Sequence, residues 1–401
     1  MKRIFCLLVS LLLLFSYNAE CKEKFLLGVE RLDEPIFQEI LTGKRIALFT
    51  NQTGVDRYLR SSVDLVKERY QLNAVFVPEH GLFGAIAAGE NVSEQEYQKI
   101  PVFSLYGATR RPTKAMLENI DAVVVDIQDV GIRHYTYFSS LAYIMEACAK
   151  EKKYVIILDR PNPLGGAMQG PVLKKGNESF IGLYPLPLRH GLTIGEFARY
   201  INSTQKINCQ LEVIPMTGWK RSMLWYDTKL PWVMTSPLIP TVDTAILYGI
   251  TGVCGDSNLS VGVGTAKPFF FIGAPFVDGQ QVKAALDTLN LPGVAFRAVS
   301  YIPRYGAYNG ELVQGVEIYL LDKQNINAAE LQYQIYYTFR KLYSDKIMTP
   351  ERDYNQSGYK IDIALGESSM RDGDSPEITF LRWKQECAAF AQQVFPYLLY
   401  K

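Results

Sequence analysis

Residues 122–131, AVVVDIQDVG, decide how this chain folds. An apolar run suited to a strand passes directly into Asp126, Gln128 and Asp129. Three other stretches repeat the pattern. RIALFTNQTG (45–54) ends in Asn51, Gln52 and Thr53, AVFVPEHG (74–81) in Glu79 and His80, and YVIILDRPNP (154–163) passes into Asp159 and Arg160. Short unbroken runs rich in Val and Ile suit strands buried on both faces. Helical spacing lies between them. Val63, Val66 and Tyr70 share one face, as do Phe138, Leu141, Ala142, Met145 and Ala149. Thr193 and Glu196 form a capping box that opens another helix. The alternation predicts an α/β fold with a Rossmann-like, doubly wound, mostly parallel sheet. In such a sheet the carboxyl ends of the strands lie side by side, and ligands bind along that edge.

Outward from this core the pattern changes twice. Residues 216–275 read as irregular, with Trp219, Trp225, Trp232, Pro237 and Pro240 followed by the glycine-rich GDSNLSVGVGT. Long loops of this kind usually carry function. Beyond 275, a strand at 316–321, a helix over 328–343 and a final helix opened by Ser375 and Pro376 predict a smaller α+β unit. The expected division is 24–272 for the Rossmann-like catalytic domain and 273–401 for the C-terminal domain, with a cleft between them. A chain of 401 residues, 48% of them hydrophobic, has core enough for both.

Residues 1–20 read as a secretory signal peptide. Lys2 and Arg3 precede an apolar stretch from Ile4 to Phe15, too short to span a bilayer, with cleavage expected after Ala19. The expectation is an exported, periplasmic protein, with a lipid anchor on Cys21 as the alternative. No integral membrane segment is expected after processing. Cys148, Cys209, Cys254 and Cys387 form no CxxC pair and read as buried apolar residues. A formal net charge of +1 without long runs of one sign gives no footprint for nucleic acid. The glycine-rich loop lacks the GKS or GKT of a phosphate cradle, so no nucleotide and no cofactor is expected.

Two chemistries remain. His80, His134 and His190 are the only histidines, and their spacing is unlike that of a metal site. No metal is expected, and a metal-dependent hydrolase is the weaker reading. Paired carboxylates are the stronger one. Cleaving a glycosidic bond needs a proton donor at the leaving oxygen and a second group at the anomeric carbon. Glu79, with Asp126 or Asp129 from neighbouring strand ends or Glu90 from the following loop, has the right chemistry. Pairing of these acids with Arg133 or Arg160 is the competing structural role. Tyr135 and Tyr137 can position sugar hydroxyls. The three tryptophans offer a platform for a sugar face, with core packing as the alternative.

The motifs FLLGVERL, GKRIALFTNQTGVD, FVPEHGLFG, AAGE, PVFSLYG, VVVDIQDVGIRHYTY, ILDRPNPLGG, PLPLRHGLTIGEFARYIN and PLIPTVDTA stand in the order of the exo-β-N-acetylmuramidase family, which the chain resembles over about 25–400. The resemblance implies removal of N-acetylmuramic acid from the non-reducing ends of peptidoglycan fragments, in a cleft between the two domains. Carried over by motif, it implies Glu79 as catalytic acid, Glu90 as second carboxylate and Asp126 beside them. It places His80, Arg133, Tyr135, Tyr137 and His190 in motifs expected to line the site, and the strand ends add Asn51, Asp129, Asp159 and Arg160, with Asn258 of the glycine-rich loop, as substrate-binding candidates. Gly255, Val261 and Val263 stand where the family pattern EGTNVSEGRGT has Glu, Glu and Arg. A non-catalytic sugar-binding protein, or a divergent paralogue acting on another amino sugar, is the alternative function.

Overall fold

A computed structural model describes residues 24–350 and 358–401, apart from positions 88 and 94. The signal-peptide reading, with Cys21, lies outside the described residues. Among them no helix is long and apolar enough to cross a membrane.

The first sheet has seven strands: β1 (Arg45–Thr50), β2 (Gln71–Val77), β3 (Gln95–Tyr97), β4 (Ile100–Ser104), β5 (Ala122–Asp126), β6 (Tyr154–Leu158) and, last in the order, Gln210–Ile214. The spatial order is β3-β4-β2-β1-β5-β6 and then the 210–214 strand. All neighbours are parallel except β3 with β4. The chain winds outward from β1 through β2 to β4, then returns to place β5 on the other side of β1. That reversal makes β1 and β5 the topological switch point, with Thr50 registered against Asp126.

Alternation along the strands builds two cores. Ala47, Phe49, Phe76, Val123, Val125 and Ile157 face one side, covered by the helices Tyr137–Lys150 and Ile194–Thr204. Ile46, Leu48, Val75, Val77, Val124, Ile156 and Leu158 face the other, beneath Val63, Leu65 and Val66 of the helix Ser62–Arg69. Period-two side chains on strands buried on both faces produce this division. The capping box holds: Thr193 accepts from the Glu196 backbone while the Glu196 carboxylate accepts from Thr193.

The C-terminal part is smaller. Its antiparallel sheet orders Phe271–Ala274, Val313–Leu320 and Val294–Tyr301, with the middle strand shared. The helices Gly279–Asp287, Ala328–Leu342 and Pro376–Val394 accompany it. The fold is therefore α/β with a mostly parallel sheet and a smaller α+β part.

One element of the supposedly irregular 216–275 stretch is a helix, Val242–Thr251. Thr241 caps it by accepting from Thr244, and nearly every residue in it is buried. A helix apolar all round has no amphipathic period to detect. The three tryptophans do not form a sugar platform. Trp225 and Trp232 pack edge to face at 5.0 Å, and Trp219 is buried against Tyr400 at the same separation. Cys148, Cys209 and Cys254 are buried and free, Cys387 is free and half-buried.

Candidate active site

The strand-end rule places Glu79 and His80 in the turn that leaves β2. Pro78 starts it, the Gly81 amide donates to the Pro78 carbonyl at 3.1 Å, and His80 and Gly81 both take left-handed backbone angles, φ 73° and 74°. Such a conformation is costly for histidine, and it is held here because His80 Nδ1 lies 2.7 Å from the Ile86 carbonyl. A carbonyl can only accept, so the ring proton sits on Nδ1 and Nε2 is left as an acceptor.

Glu79 is 8% exposed. Its Oε1 accepts from the Gly89 amide and its Oε2 from the Thr136 hydroxyl, both at 2.9 Å. These two donors fix the plane of the carboxylate. The Tyr106 hydroxyl, just beyond β4, is pushed up to about 12, first by burial and then by the adjacent Glu79 charge.

These residues open into a cleft of about 620 Å³. One wall is the carboxyl edge of the sheet: Glu79 and His80 after β2, Tyr106 and Arg110 after β4, His134–Thr136 after β5. The rest of the lining includes the 179–182 turn, Ser236, Tyr248 and Phe269, with Lys360 from the C-terminal part. The turn is closed by paired backbone hydrogen bonds between Ser179 and Gly182, which project Phe180 and Ile181.

The polar atoms of this floor are unspent. Both ring nitrogens of His134, the Tyr135 hydroxyl and the Ser179 hydroxyl are buried without a hydrogen-bond partner among the described residues. A buried polar group left alone costs free energy, so native proteins keep few of them. His134 packs 4.4 Å from the Tyr248 ring, and burial, helped by Arg133, lowers it to about 3. It is a neutral imidazole at working pH, offering one donor and one acceptor. Tyr135, Tyr137 and Tyr248 are all held well above the ordinary tyrosine value, first by burial, and the charges of Glu79 and Asp129 push all three the same way. The two carboxylates therefore flank one tyrosine cluster, whose hydroxyls stay protonated.

Several expected residues support this floor from behind. Asn51 donates to the Tyr137 hydroxyl, which donates to the Thr235 carbonyl, each at 2.7 Å. Asp129 Oδ1 accepts from Gly131 at 2.6 Å and faces His190 Nε2 at 3.4 Å. Leu192 donates to His190 Nδ1, which leaves the ring proton on Nε2, aimed at Asp129.

The remaining expected residues do not reach the cleft. Asp126 is fully buried at the switch point and accepts from two guanidinium nitrogens of Arg160, Nε and Nη2, at 2.6 and 2.8 Å. Arg160 also donates to the Val55 carbonyl at 2.7 Å, so both members of the pair are consumed by structure. Asp159 accepts from Tyr400, Thr193, Gly195 and Arg160, which ties the C-terminal tail to the sheet. Burial nevertheless raises it to about 7. Arg133 donates to the carbonyls of Pro171, Leu186, Ala364 and Leu365, stapling the two parts together. A side chain at Gly366, where φ is 93°, would overlap that guanidinium. Asn258 is spent on the backbone of Lys346 and Met348. Glu90 is exposed on the loop beside Gly89 and does not line the cleft. Val261 is buried, and a side chain at Gly255 would approach it to 3.1 Å, so these two positions pack against each other.

Sequence reasoning missed Tyr106, Arg110, Phe180, Tyr248 and Phe269, and did not select His134. Tyr106 was within reach, since PVFSLYG is another strand followed by polar residues. The others come from turns, or from the helix without a period.

Comparison with known proteins agrees with this architecture. Residues 46–243 match the model described as exo-beta-N-acetylmuramidase NamZ, N-terminal, and residues 246–400 its C-terminal counterpart. The chain is 40% identical over 388 residues to peptidoglycan beta-N-acetylmuramidase NamZ of Bacillus subtilis (strain 168), covering 94% of this chain and 92% of that protein. Two crystal structures of DUF1343 family proteins from Bacteroides fragilis NCTC 9343 superpose with TM-scores of 0.84 and 0.73, at 35% and 26% identity. Each match covers 94% of this chain and 99% of the other. Matched along nearly its whole length, this glycoside hydrolase belongs to the exo-β-N-acetylmuramidase family.

Proposed function

We propose that this enzyme removes N-acetylmuramic acid from the non-reducing ends of peptidoglycan fragments, with Glu79 as general acid in the cleft between the sheet edge and the C-terminal part. The observation that carries this reading is the set of unpartnered polar atoms on His134, Tyr135 and Ser179 beside Glu79. A neutral imidazole, protonated phenols and a hydroxyl suit the hydroxyl and acetamido groups of an amino sugar. The apolar side of the cleft, formed by Ile239, Leu238 and Phe269, suits an acetyl methyl. The Bacillus subtilis relative is named as a peptidoglycan β-N-acetylmuramidase, which supports the same substrate here.

In the reaction, Glu79 gives its proton to the glycosidic oxygen as the bond to the anomeric carbon breaks. Gly89 and Thr136 keep the carboxyl group aimed while this happens. Positive charge then develops on the sugar ring. Asp129, fixed behind the floor by Gly131 and His190, stabilises it, and a water then adds to the anomeric carbon and returns a proton to Glu79. Glu90 is too exposed for that role. Lys2, Arg3 and the apolar stretch to Phe15 support export to the periplasm, where such fragments arise.

Incubation with a chromogenic N-acetylmuramide and with the matching N-acetylglucosaminide, between about pH 4 and 8, tests the proposal. Release from the muramide by the wild type, and its loss in Glu79→Gln, is the expected result. Release from neither substrate overturns the assignment. Release from the glucosaminide alone moves it to another amino sugar.

A further inference from the structure

Arg110 stands apart from the other cations of the N-terminal part. It lines the cleft, is exposed, and makes no ion pair among the described residues. Its neighbour Arg111, by contrast, is paired with Glu146. Yet the Arg110 side chain is not loose. Its guanidinium carbon lies 4.1 Å from the centre of the Phe180 ring and 5.5 Å from that of Tyr106. The two rings are themselves 5.9 Å apart, and Phe180 also stacks on Tyr143 at 5.8 Å. An arginine held on aromatic faces keeps its planar fork oriented and its donors free.

Tyr106 connects this cation to the chemistry. Its ring touches Arg110, and its hydroxyl lies beside Glu79, whose charge it feels. One tyrosine therefore stands between Glu79 and the free guanidinium, so both face the same stretch of the cleft. Lys360 faces the same cleft but makes no ring contact among the described residues that would fix it.

We propose that Arg110, oriented by Phe180 and Tyr106, pairs with the lactyl carboxylate of the terminal sugar and so selects N-acetylmuramic acid over N-acetylglucosamine. This rests on the function proposed above. The two sugars differ only in the lactyl ether at the third carbon, which adds one carboxylate. A planar fork accepts that group through two parallel hydrogen bonds.

The test separates this proposal from the reading on which it rests. Calorimetry measures binding of N-acetylmuramic acid and of its neutral methyl ester to the wild type, Arg110→Ala, Arg110→Lys and Lys360→Ala. Turnover of the chromogenic muramide is recorded on the same samples. The wild type is expected to prefer the acid by about ten- to a hundredfold, the range for a hydrogen bond to a charged group. Arg110→Ala should bind acid and ester alike, Arg110→Lys should recover part of the preference, and Lys360→Ala should retain it. Arg110 is exposed, so its truncation leaves the fold intact. A wild type that does not distinguish acid from ester, or an Arg110→Ala that still does, overturns the proposal even if the muramide is cleaved. Loss of the preference in Lys360→Ala alone transfers the role to Lys360. A wild type that binds the acid selectively but never cleaves the muramide leaves Arg110 in place and removes the hydrolytic reading.

Discussion

The molecule carries two groups of buried acids at the same edge of one sheet, and they are treated in opposite ways. At the switch point, Asp126 is closed into a two-bond pair with Arg160, and Asp159 is surrounded by four donors. Two strands along from Asp126, Glu79 is aimed by two donors into a cleft whose imidazole and phenol have nothing to bind. The first group stabilises the fold. The second gives up stability to keep polar atoms ready for a ligand. Strand-end acids are thus divided by what their neighbours leave unpaired, not by their position in the topology.

That contrast makes its largest prediction at Glu79. Glu79→Gln keeps the shape and the Gly89 contact, with the Thr136 hydroxyl turned to accept from the new amide, but removes the proton, so kcat should fall by about 10²–10⁴-fold. Thermal melting of the same sample should be almost unchanged. Asp126→Ala is the mirror case. It strands Arg160 in the sheet without its partner, which costs about 3–5 kcal/mol of stability. Chemical denaturation measures the loss, and the remaining folded protein should still turn over substrate.

Tyr400→Phe is the next in size. It removes the hydroxyl that donates to Asp159 at 2.6 Å from the end of the chain. A bond of this kind contributes about 1.5–3 kcal/mol, and protease access to the tail should rise with its loss. A pH effect follows from the same site. Asp159 is raised to about 7 in the fold, against about 3.9 in the unfolded chain. The folded state therefore holds its proton longer. The resulting stability is complete below about pH 4 and is lost as pH rises to about 7. Asp159→Asn should flatten that slope in unfolding curves recorded across the window.

The smallest effect on stability should come from His134→Leu. Removing two buried, unpartnered nitrogens should leave melting unchanged or raise stability by up to about 1 kcal/mol. Activity on the muramide should nonetheless drop. A large destabilisation would show that His134 belongs with the spent group after all.

The frame of the fold was legible because its signals are local. The strands around Phe49, Phe76, Val124 and Ile157, and the Thr193–Glu196 cap, are written in consecutive residues. Glu79 and His80 were legible for the same reason, since Pro-Glu-His-Gly ends a strand abruptly. The pairing of Asp126 with Arg160 is not written in consecutive residues, because it depends on β5 and β6 being neighbours with one definite register. Tyr248 and Phe269 were hidden for a different reason. They flank or sit on a helix buried on every side, and burial erases the periodicity that marks a helix in sequence. Arg133 shows the limit most clearly. Its motif resembles that of the site residues, but its guanidinium points into the joint with Ala364 and Leu365, more than two hundred residues later in the chain.

The decisive measurement is a side-by-side assay of Glu79→Gln and Asp126→Ala, with muramide turnover and unfolding free energy taken on the same preparations. Turnover abolished with stability intact in the first, and stability reduced with turnover per folded molecule intact in the second, is the expected outcome. An active Glu79→Gln, or an Asp126→Ala that is fully stable and inactive, would reverse the roles of the two acids and contradict the account.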